Sequence, residues 1–210
     1  MIGPEQAPTR AAVLELKQER SVVSEAYDFL DEKRLLLAAE LLRQLGAYQR
    51  LQAKLESLAG QARRRLIAAV ERHGLQGLSV YPAAQLEGMR LHEQRRNFMA
   101  VTLVETELLA PESQRSAPRL ASNPSTEAEA CRKVFADMIQ HSAVLAGLSG
   151  NLHRLLEEYR LTERRARALE NVILPEIEQS LNEMMSYLEE VDLEDAIRAR
   201  LQGFSRGQST

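Results

Sequence analysis

The sequence predicts a mainly α-helical protein: a long antiparallel coiled-coil hairpin of two helices, with a small hairpin-like, strand-containing head in the middle of the chain. Proline is absent from residues 9–73, and apolar residues recur there and in the last third of the chain at alternating steps of three and four. This is the coiled-coil period. The predicted division is a leader (1–8), an N-terminal arm (9–73), a central head and loop (74–124), a C-terminal arm (125–202) and a flexible tail (203–210).

The first arm covers roughly 65 residues, or about 95 Å at ~1.5 Å per residue if one helix spans it. Thr9 is the expected N-cap. The predicted seam runs through Val13, Leu16, Val23, Tyr27, Leu30, Leu37 and Leu41, then through Leu45, Tyr48, Leu51, Leu55, Leu58 and Ala62. Because the pattern steps to Leu45 rather than to position 44, it predicts one shift of phase and a straighter helix around residues 41–48.

The head is predicted where glycine and proline interrupt the helical period. Two candidate strands, Met89 to His92 and Phe98 to Thr106, flank a polar run from Glu93 to Asn97. We therefore expect a small β-hairpin with the polar run as its connection. The stretch from Ala110 to Ser125 is rich in proline, serine and asparagine and predicts an exposed loop.

The second arm is expected to begin near Ser125 or Thr126, with acidic residues in its first turn. Its seam alternates steps of four and three through Val134, Met138, His141, Leu145, Leu148, Leu152, Leu155, Tyr159, Thr162, Ala166, Leu169 and Ile173. Two successive steps of four then lead to Ile177 and Leu181. This phase shift coincides with Pro175, which removes one helical hydrogen bond and crowds the preceding turn. We expect a bend or a local change of pitch there.

Composition excludes several classes of function. Charged residues make up 27% of the chain and nearly cancel, to a net −3, so little drives binding to nucleic acid or to an anionic membrane. The single cysteine, Cys131, excludes an internal disulfide and suits a reducing compartment. No apolar run reaches the ~20 residues of a membrane span. We expect a cytoplasmic protein whose membrane association comes through partners.

Motifs for catalysis and cofactor binding are absent from the sequence. It contains no Gly-x-x-x-x-Gly-Lys loop, no Gly-x-Gly-x-x-Gly and no His-Glu-x-x-His. The four histidines show no close ligand spacing, and His141 falls on the apolar seam, where packing is the simpler explanation. We therefore expect a non-enzymatic protein without a cofactor or a metal.

Three motifs, in order, resemble the D subunit of V-type (also called V/A-type) ATPases. They are Pro8-Thr9-Arg10, the run Phe29-Leu30-Asp31-Glu32-Lys33-Arg34, and the stretch from Arg164-Arg165 to Pro175, in which Ala168, Leu169 and Glu170 also match the family pattern. The third motif is the most specific. The matching architecture covers nearly the whole chain.

The resemblance implies the central rotor stalk of a rotary ATPase. It implies paired termini inserted into a hexamer of catalytic and non-catalytic subunits, with the head engaging the small F subunit of the stalk and the funnel-shaped subunit on the membrane ring. Candidate partner-contact or torque residues are Pro8, Thr9, Arg10, Lys33, Arg34, Arg164, Arg165, Leu169, Glu170 and Pro175. Whether the ion is H⁺ or Na⁺, and whether synthesis or hydrolysis dominates, stays open.

Two alternatives stand beside this hypothesis. A coiled-coil adaptor or secretion-type tether would share the helical period, although it would need neither the ordered motifs nor a proline at a phase shift. The arginines at 164, 165 and 167 are explained equally by a solvated helix face, since charge runs usually face water. Local ion pairing with Asp31 and Glu32 would be a sufficient account of Lys33 and Arg34.

Overall fold

The computed structural model describes residues 8–81, 89–109 and 124–207, with side chains as far as residue 201. Its elements, in order, are α1 (Arg10–Ser79), β1 (Arg90–Phe98), β2 (Val101–Leu109), α2 (Thr126–Ala168), a π turn (Leu169–Ile173) and α3 (Leu174–Gly207). The predicted fold class is confirmed: the chain is mainly helical, its helices pair antiparallel, and a two-stranded sheet lies in the middle of the sequence. The predicted loop from Ala110 to Ser125 lies almost entirely outside the described residues, as do most of the leader and the end of the tail.

Both long helices begin with side-chain caps, at Thr9 as predicted and at Ser125, one of the two positions near which the second arm was expected to begin. The Ala12 N–H donates to Thr9 Oγ1 at 3.2 Å, and the Ala128 N–H donates to Ser125 Oγ at 3.1 Å. Each cap satisfies an N–H group that has no partner inside the helix. Ser125 Oγ also lies 2.6 Å from His73 Nε2, which ties the start of α2 to α1. Just beyond His73, the regular helix is interrupted at Gly74, whose φ of 67° suits glycine.

The chain forms two compact units, Met1–Leu35 with Arg160–Thr210, and Leu36–Tyr159. In the first, the start of α1 packs antiparallel on α3. Its core consists of Val13, Leu16, Ile177 and Leu181. Ion pairs flank this core, Arg10 with Asp192 at 3.0 Å and Arg20 with Glu178 at 2.9 Å. Since exposed pairs contribute only about 0–1 kcal/mol, the apolar core supplies most of the stability.

The second unit contains the β-hairpin and the helical segments on which it packs. Its core joins Leu37 of α1, Leu155 of α2, and Val101 and Leu103 of β2. Leu37 and Leu155 are fully buried, and Leu103 is almost so. The hairpin is therefore part of this unit's hydrophobic core.

The predicted phase shift in the first arm is wrong. Gln44 is buried, with 4% of its surface exposed, whereas Leu45 is 41% exposed. The buried series therefore continues from Leu41 through position 44 to Tyr48 in steps of three and four, with no insertion. A pattern of apolar residues alone does not reveal this position, because the seam takes a polar residue here: Gln44 finds a hydrogen-bond acceptor in Glu40.

The hairpin also differs from its prediction. The two strands pair antiparallel from Arg90↔Leu109 to Phe98↔Val101, so the polar run expected as a connection lies inside β1. Most of β1 is exposed, and it therefore lacks the alternation that identifies a half-buried strand. The connection is the two-residue turn Met99-Ala100, with φ angles of 47° and 68°. Positive φ at both central residues is the geometry of a type I′ turn, which glycine and asparagine favour.

Replacing Ala100 with glycine is expected to raise the free energy of unfolding by roughly 1 kcal/mol, because glycine adopts positive φ without the steric penalty that alanine carries. Urea denaturation would measure the change. Ala59→Gly is the matched control, since Ala59 is exposed within α1 and its replacement should cost about 1 kcal/mol. A destabilised Ala100→Gly protein would contradict this prediction.

Among the described residues, none of the helices combines the length and the apolar character that crossing a bilayer requires.

Candidate functional site

A π turn lies where the sequence places its most specific motif. The Leu174 N–H donates to the carbonyl of Leu169, five residues back, in place of the usual four. The buried or half-buried positions step from Ala166 to Leu169, then by five to Leu174, then to Ile177. The predicted seam position Ile173 is instead 36% exposed. One extra residue is thus accommodated in a single wide turn, after which the seam resumes.

The change of pitch expected near Pro175 is confirmed by this turn, and it lies just before the proline. In a regular α-helix the Pro175 ring would meet the carbonyl of Asn171 and leave it without its donor. A widened turn displaces the backbone there, which is why π turns and prolines both occur at irregular points of helices. Pro175 itself is exposed at the second position of α3.

Glu170 joins the π turn to the facing helix. Its carboxylate lies close enough to the Tyr27 hydroxyl of α1 to act on it electrostatically. Packing against the helix pair raises the pKa of Tyr27, and the negative charge of Glu170 raises it further. The predicted site residue Glu170 and the predicted seam residue Tyr27 are therefore brought together, although they are far apart in the sequence.

The ten predicted contact residues all belong to the first unit. Arg10 pairs with Asp192, and Arg34 pairs locally with Asp31 at 2.5 Å. Arg164 and Arg165 are exposed, and no ion pair holds either of them within the part of the chain that the structure describes. Thr9 acts as a cap, Pro8 and Lys33 are half-buried, and Leu169 lies half-buried in the π turn.

A second site, which the sequence analysis missed, anchors the hairpin on the helices of the second unit. The Asn151 side chain on α2 accepts a hydrogen bond from the Val104 N–H at 2.8 Å and donates to the Val104 carbonyl at 2.9 Å. These two hydrogen bonds satisfy backbone groups at the outer edge of β2, as a neighbouring strand would. Nearby, Thr106 Oγ1 donates to the Ala143 carbonyl at 2.6 Å. A Cβ added to Gly147 would lie 3.0 Å from Thr106 Cγ2, so glycine permits this close approach.

Glu40 forms the other anchor. Its carboxylate accepts hydrogen bonds from Arg43 at 2.6 and 2.7 Å, from Gln44 at 2.9 Å and from Arg96 of β1 at 3.2 Å. The residue is only 8% exposed. These donors, Arg43 foremost, outweigh the effect of burial and lower the pKa of Glu40 to about 2. A buried carboxylate with several donors thus joins β1 to α1.

The signal for these anchors was present in the sequence as polar residues on or beside the apolar seam. Glu40 interrupts the most apolar run of α1, and Asn151 lies one position before the seam residue Leu152. A polar residue in such a position requires a partner. The partner could not be identified without knowing where the hairpin packs.

Glu40 is expected to make stability pH-dependent in the acid range. Its folded pKa of about 2 lies below the ordinary 4.5, so its stabilising effect is complete above about pH 4.5 and is lost as the pH falls through about 2. Glu40→Gln should therefore lower the free energy of unfolding at pH 7 by roughly 3 kcal/mol, and this difference should vanish near pH 2.

Urea denaturation of both proteins from pH 7 to pH 2 measures this difference. Glu56→Gln is the control, because Glu56 is exposed and contacts only Gln52 of its own helix in the hydrogen bonds described. Its effect should stay within about 0.5 kcal/mol. A pH-independent difference for Glu40→Gln would rule out the charged carboxylate as the cause.

The described part of the chain contains no cluster of side chains suited to holding a metal ion. Within residues 8–81, 89–109 and 124–207, no three His, Cys, Asp or Glu side chains lie close enough to hold a metal ion. Cys131 is buried, and burial raises the pKa of its thiol. A raised thiol pKa lowers the thiolate fraction and hence the reactivity.

Comparison with known proteins gives a consistent result. A family model described as the D subunit of ATP synthase matches residues 12–202. The chain is 26% identical to the V-type ATP synthase D subunit of Thermotoga neapolitana, with 92% of this chain and 95% of that one aligned. It is 30% identical to the protein of the same name from Anaeromyxobacter dehalogenans strain 2CP-C, covering 92% and 93%. It is 24% identical to the A-type ATP synthase D subunit of Thermococcus sibiricus, covering 92% and 91%.

Proposed function

The chain belongs to the family of ATP synthase D subunits, and from this premise we propose that it is the central rotor shaft of a V-type rotary ATPase or ATP synthase. In this role it couples ATP hydrolysis or synthesis in a catalytic hexamer to ion translocation through a membrane ring. The observation that carries the proposal is the family match over residues 12–202, which includes both helical arms and the hairpin. The antiparallel helix packing in each unit supports it, since a stiff pair of helices can transmit torque.

The proposed mechanism is rotation of an asymmetric shaft. An asymmetric rod inside a ring of three catalytic interfaces contacts each interface differently, so the three nucleotide affinities differ. As the rod turns, each of the three interfaces takes on each of the three nucleotide affinities in order. Because linkage is reciprocal, nucleotide binding and hydrolysis bias the angle of the rod, and a torque from the ion ring biases nucleotide binding. The shaft itself is proposed to be non-catalytic.

The proposed partners follow from the family. They are the catalytic and non-catalytic subunits of the nucleotide-binding hexamer, the small F subunit of the stalk, and the funnel-shaped subunit on the membrane ring. The protein would then lie at the cytoplasmic face of the membrane, held there by the complex. The described surface of α3 supports a buried position for its far end, because Leu193, Ile197 and Leu201 are each more than half exposed and recur every four residues.

Co-purification from membrane extracts tests the proposal. An affinity-tagged full-length chain should recover a nucleotide-binding hexamer and an ion-translocating ring in fixed proportion. The same extract from cells carrying the tag alone is the control. Recovery of secretion or cytoskeletal proteins without the hexamer would refute the rotor proposal and favour a coiled-coil tether.

The π turn supplies a prediction about coupling. Deleting Val172, which is 50% exposed, should return the step from Leu169 to Leu174 to four residues and close the wide turn. The seam would then follow the heptad without a break, so urea denaturation should show no loss of stability. The residues beyond the deletion would keep their face toward α1 but would lie nearer to Leu169 by about 1.5 Å along the helix axis, and the local widening of the helix would be lost. Ions pumped per ATP hydrolysed should therefore fall.

Pro175→Ala is the matched comparison for this deletion. It restores a backbone donor without changing the number of residues, so the insertion and the π turn should persist and pumping per ATP should stay near that of the wild type. Hydrogen exchange at the Leu174 amide would check that the turn is retained. If the Val172 deletion couples as well as the wild type, the altered winding contributes nothing to coupling.

A further inference from the structure

The strand β1 forms the outer edge of the hairpin. The edge of β2 is held on α2 by Asn151, so β1 lies on the far side of the two-stranded sheet. All residues of β1 are exposed except Phe98, which is half-buried. The pairing with β2 runs through nine consecutive positions without a bulge, and β1 contains no proline. The strand therefore lacks the bulges and prolines with which many proteins block a free sheet edge.

The strand register identifies the backbone groups that this edge presents. Arg95 lies opposite Val104, whose N–H and carbonyl are both bonded by Asn151. Opposite residues of an antiparallel pair exchange either both hydrogen bonds or none, and the two kinds alternate. The N–H and carbonyl of Arg95 therefore point away from β2. The same holds for every second residue of the strand, namely Leu91, Glu93 and Asn97. No backbone–backbone hydrogen bond described in the structure reaches these four residues from outside the hairpin.

The charges along this edge complement those of a second copy of the same strand. Glu93 and Arg95 lie two residues apart on one face of the sheet and carry opposite charges. If a second β1 pairs antiparallel about a two-fold axis at Gln94, each Glu93 lies opposite the Arg95 of the other copy. In the neighbouring registers, centred on Glu93 or on Arg95, one of these residues would face itself. Opposite charges across a strand pair are stabilising and like charges are destabilising, so the register centred on Gln94 is favoured.

The other face of β1 is compatible with this register. His92 of one copy would lie opposite Arg96 of the other, and the charge of Arg96 is already paired with Glu40 at 3.2 Å. Arg90 would lie opposite Phe98. An aromatic ring attracts a cation, and the Arg96 guanidinium already lies 6.0 Å from the centre of the Phe98 ring.

We propose that two copies of this chain associate through β1 and form a four-stranded antiparallel sheet in the order β2-β1-β1-β2. The pairing satisfies the outward N–H and carbonyl groups of each copy. A contact of this two-fold kind closes on itself, so association stops at the dimer. A second copy is favoured over an extended segment of another protein because β1 itself supplies both members of each charge pair. The inference concerns the free chain and does not rest on the proposed function.

Charge reversal tests the register in the full-length protein. Sedimentation velocity should show a wild-type dimer whose fraction rises with concentration. Glu93→Arg and Arg95→Glu should each raise the dimer Kd roughly tenfold, because two attractive pairs become repulsive. Glu189→Arg is the control, since Glu189 is exposed on α3, and it should leave the Kd unchanged.

A mixture of the two hairpin variants separates contacts between chains from those within a chain. One variant carries two positive charges at these positions and the other carries two negative ones, so the mixture should form a heterodimer. The charges within each chain remain alike. A mixture that associates no better than either variant alone would overturn the proposal, as would a wild-type chain that stays monomeric at every concentration.

Hydrogen exchange locates the contact. The amides of Glu93 and Arg95 should exchange slowly in concentrated solution and rapidly in dilute solution. The Gln94 amide points to β2 and should be slow in both, so it serves as the internal control. If a dimer forms while the Glu93 and Arg95 amides exchange equally fast at both concentrations, another surface carries it and the proposal is wrong.

A proline at the free edge gives an independent test. Arg95→Pro removes an outward N–H that takes no part in the β1–β2 ladder, and proline is tolerated at such positions of edge strands. The dimer should be lost while the Val104 amide, bonded to Asn151, stays protected from exchange. A variant with a protected Val104 amide and the dimer Kd of the wild type would refute pairing through this edge.

Pull-down from extracts distinguishes a second copy from a different protein. A tagged wild-type chain should recover an untagged copy expressed in the same cells, and a tagged Glu93→Arg chain should recover less. If the wild-type chain recovers no second copy but binds another protein that Glu93→Arg fails to bind, the edge serves that protein and the dimer is refuted.

Discussion

Replacing Asn151 with leucine is expected to lower the free energy of unfolding by about 2–5 kcal/mol, because two backbone groups of β2 would lose their only described partners in a buried place. Asn151 is 2% exposed and bonds both the N–H and the carbonyl of Val104. Leucine has a similar size and a better helix propensity, so neither a cavity nor a weaker helix would account for the loss. Urea denaturation would measure it.

Asn182→Leu is the matched control for this substitution. Asn182 is exposed on α3, and leucine there should leave stability unchanged within about 0.5 kcal/mol. Hydrogen exchange gives a local measurement: the Val104 amide should exchange much faster in Asn151→Leu, while amides of the first unit should exchange as in the wild type. A slow Val104 amide in the variant would show that Asn151 does not hold the hairpin.

Ending the chain at Asp192 is expected to reduce ATP-driven ion pumping to background while the protein stays folded. The truncation keeps the core of Val13, Leu16, Ile177 and Leu181, and it keeps the partner of Arg10. It removes Leu193, Ile197 and Leu201, the exposed apolar residues that we propose to lie inside the hexamer. Without these residues, ATP hydrolysis should continue but should no longer turn the shaft.

Pumping and hydrolysis must be measured in the same preparation to test this expectation. Fluorescence quenching in sealed vesicles reports ion transport, and phosphate release reports ATPase activity. A chain lacking only residues 208–210 is the control and should couple normally. If the Asp192 truncation pumps as many ions per ATP as the wild type, the end of α3 is not needed for coupling.

The two anchors of the hairpin explain why the head could be predicted only in outline. Glu40 and Arg96 are 56 residues apart, and Asn151 and Val104 are 47 apart. A polar residue in a helical seam indicates that a partner exists without indicating which one it is. For the same reason the sequence predicted a phase shift at Leu45, whereas Gln44 occupies the seam.

The region around Pro175 was predicted more closely because its cause is local. A proline and a break in the apolar period coincide within a few residues, and both depend on neighbours along the same helix. The predicted change of pitch is present as the π turn. Its exact place was not predicted, since a step of five to Leu174 and two steps of four through Ile173 reach Ile177 equally well.

By itself the sequence determined the helical class, the cap at Thr9, the start of the second arm near Ser125 or Thr126, most of both seams and a change of pitch near Pro175. These features depend on residues within a turn or two of each other, where backbone geometry and spacing leave few choices. Only the tertiary structure decided the strand register and the burial of Glu40, Gln44 and Asn151. Burying a polar group is unfavourable unless it forms a hydrogen bond, and here most of the hydrogen-bond partners come from distant parts of the chain.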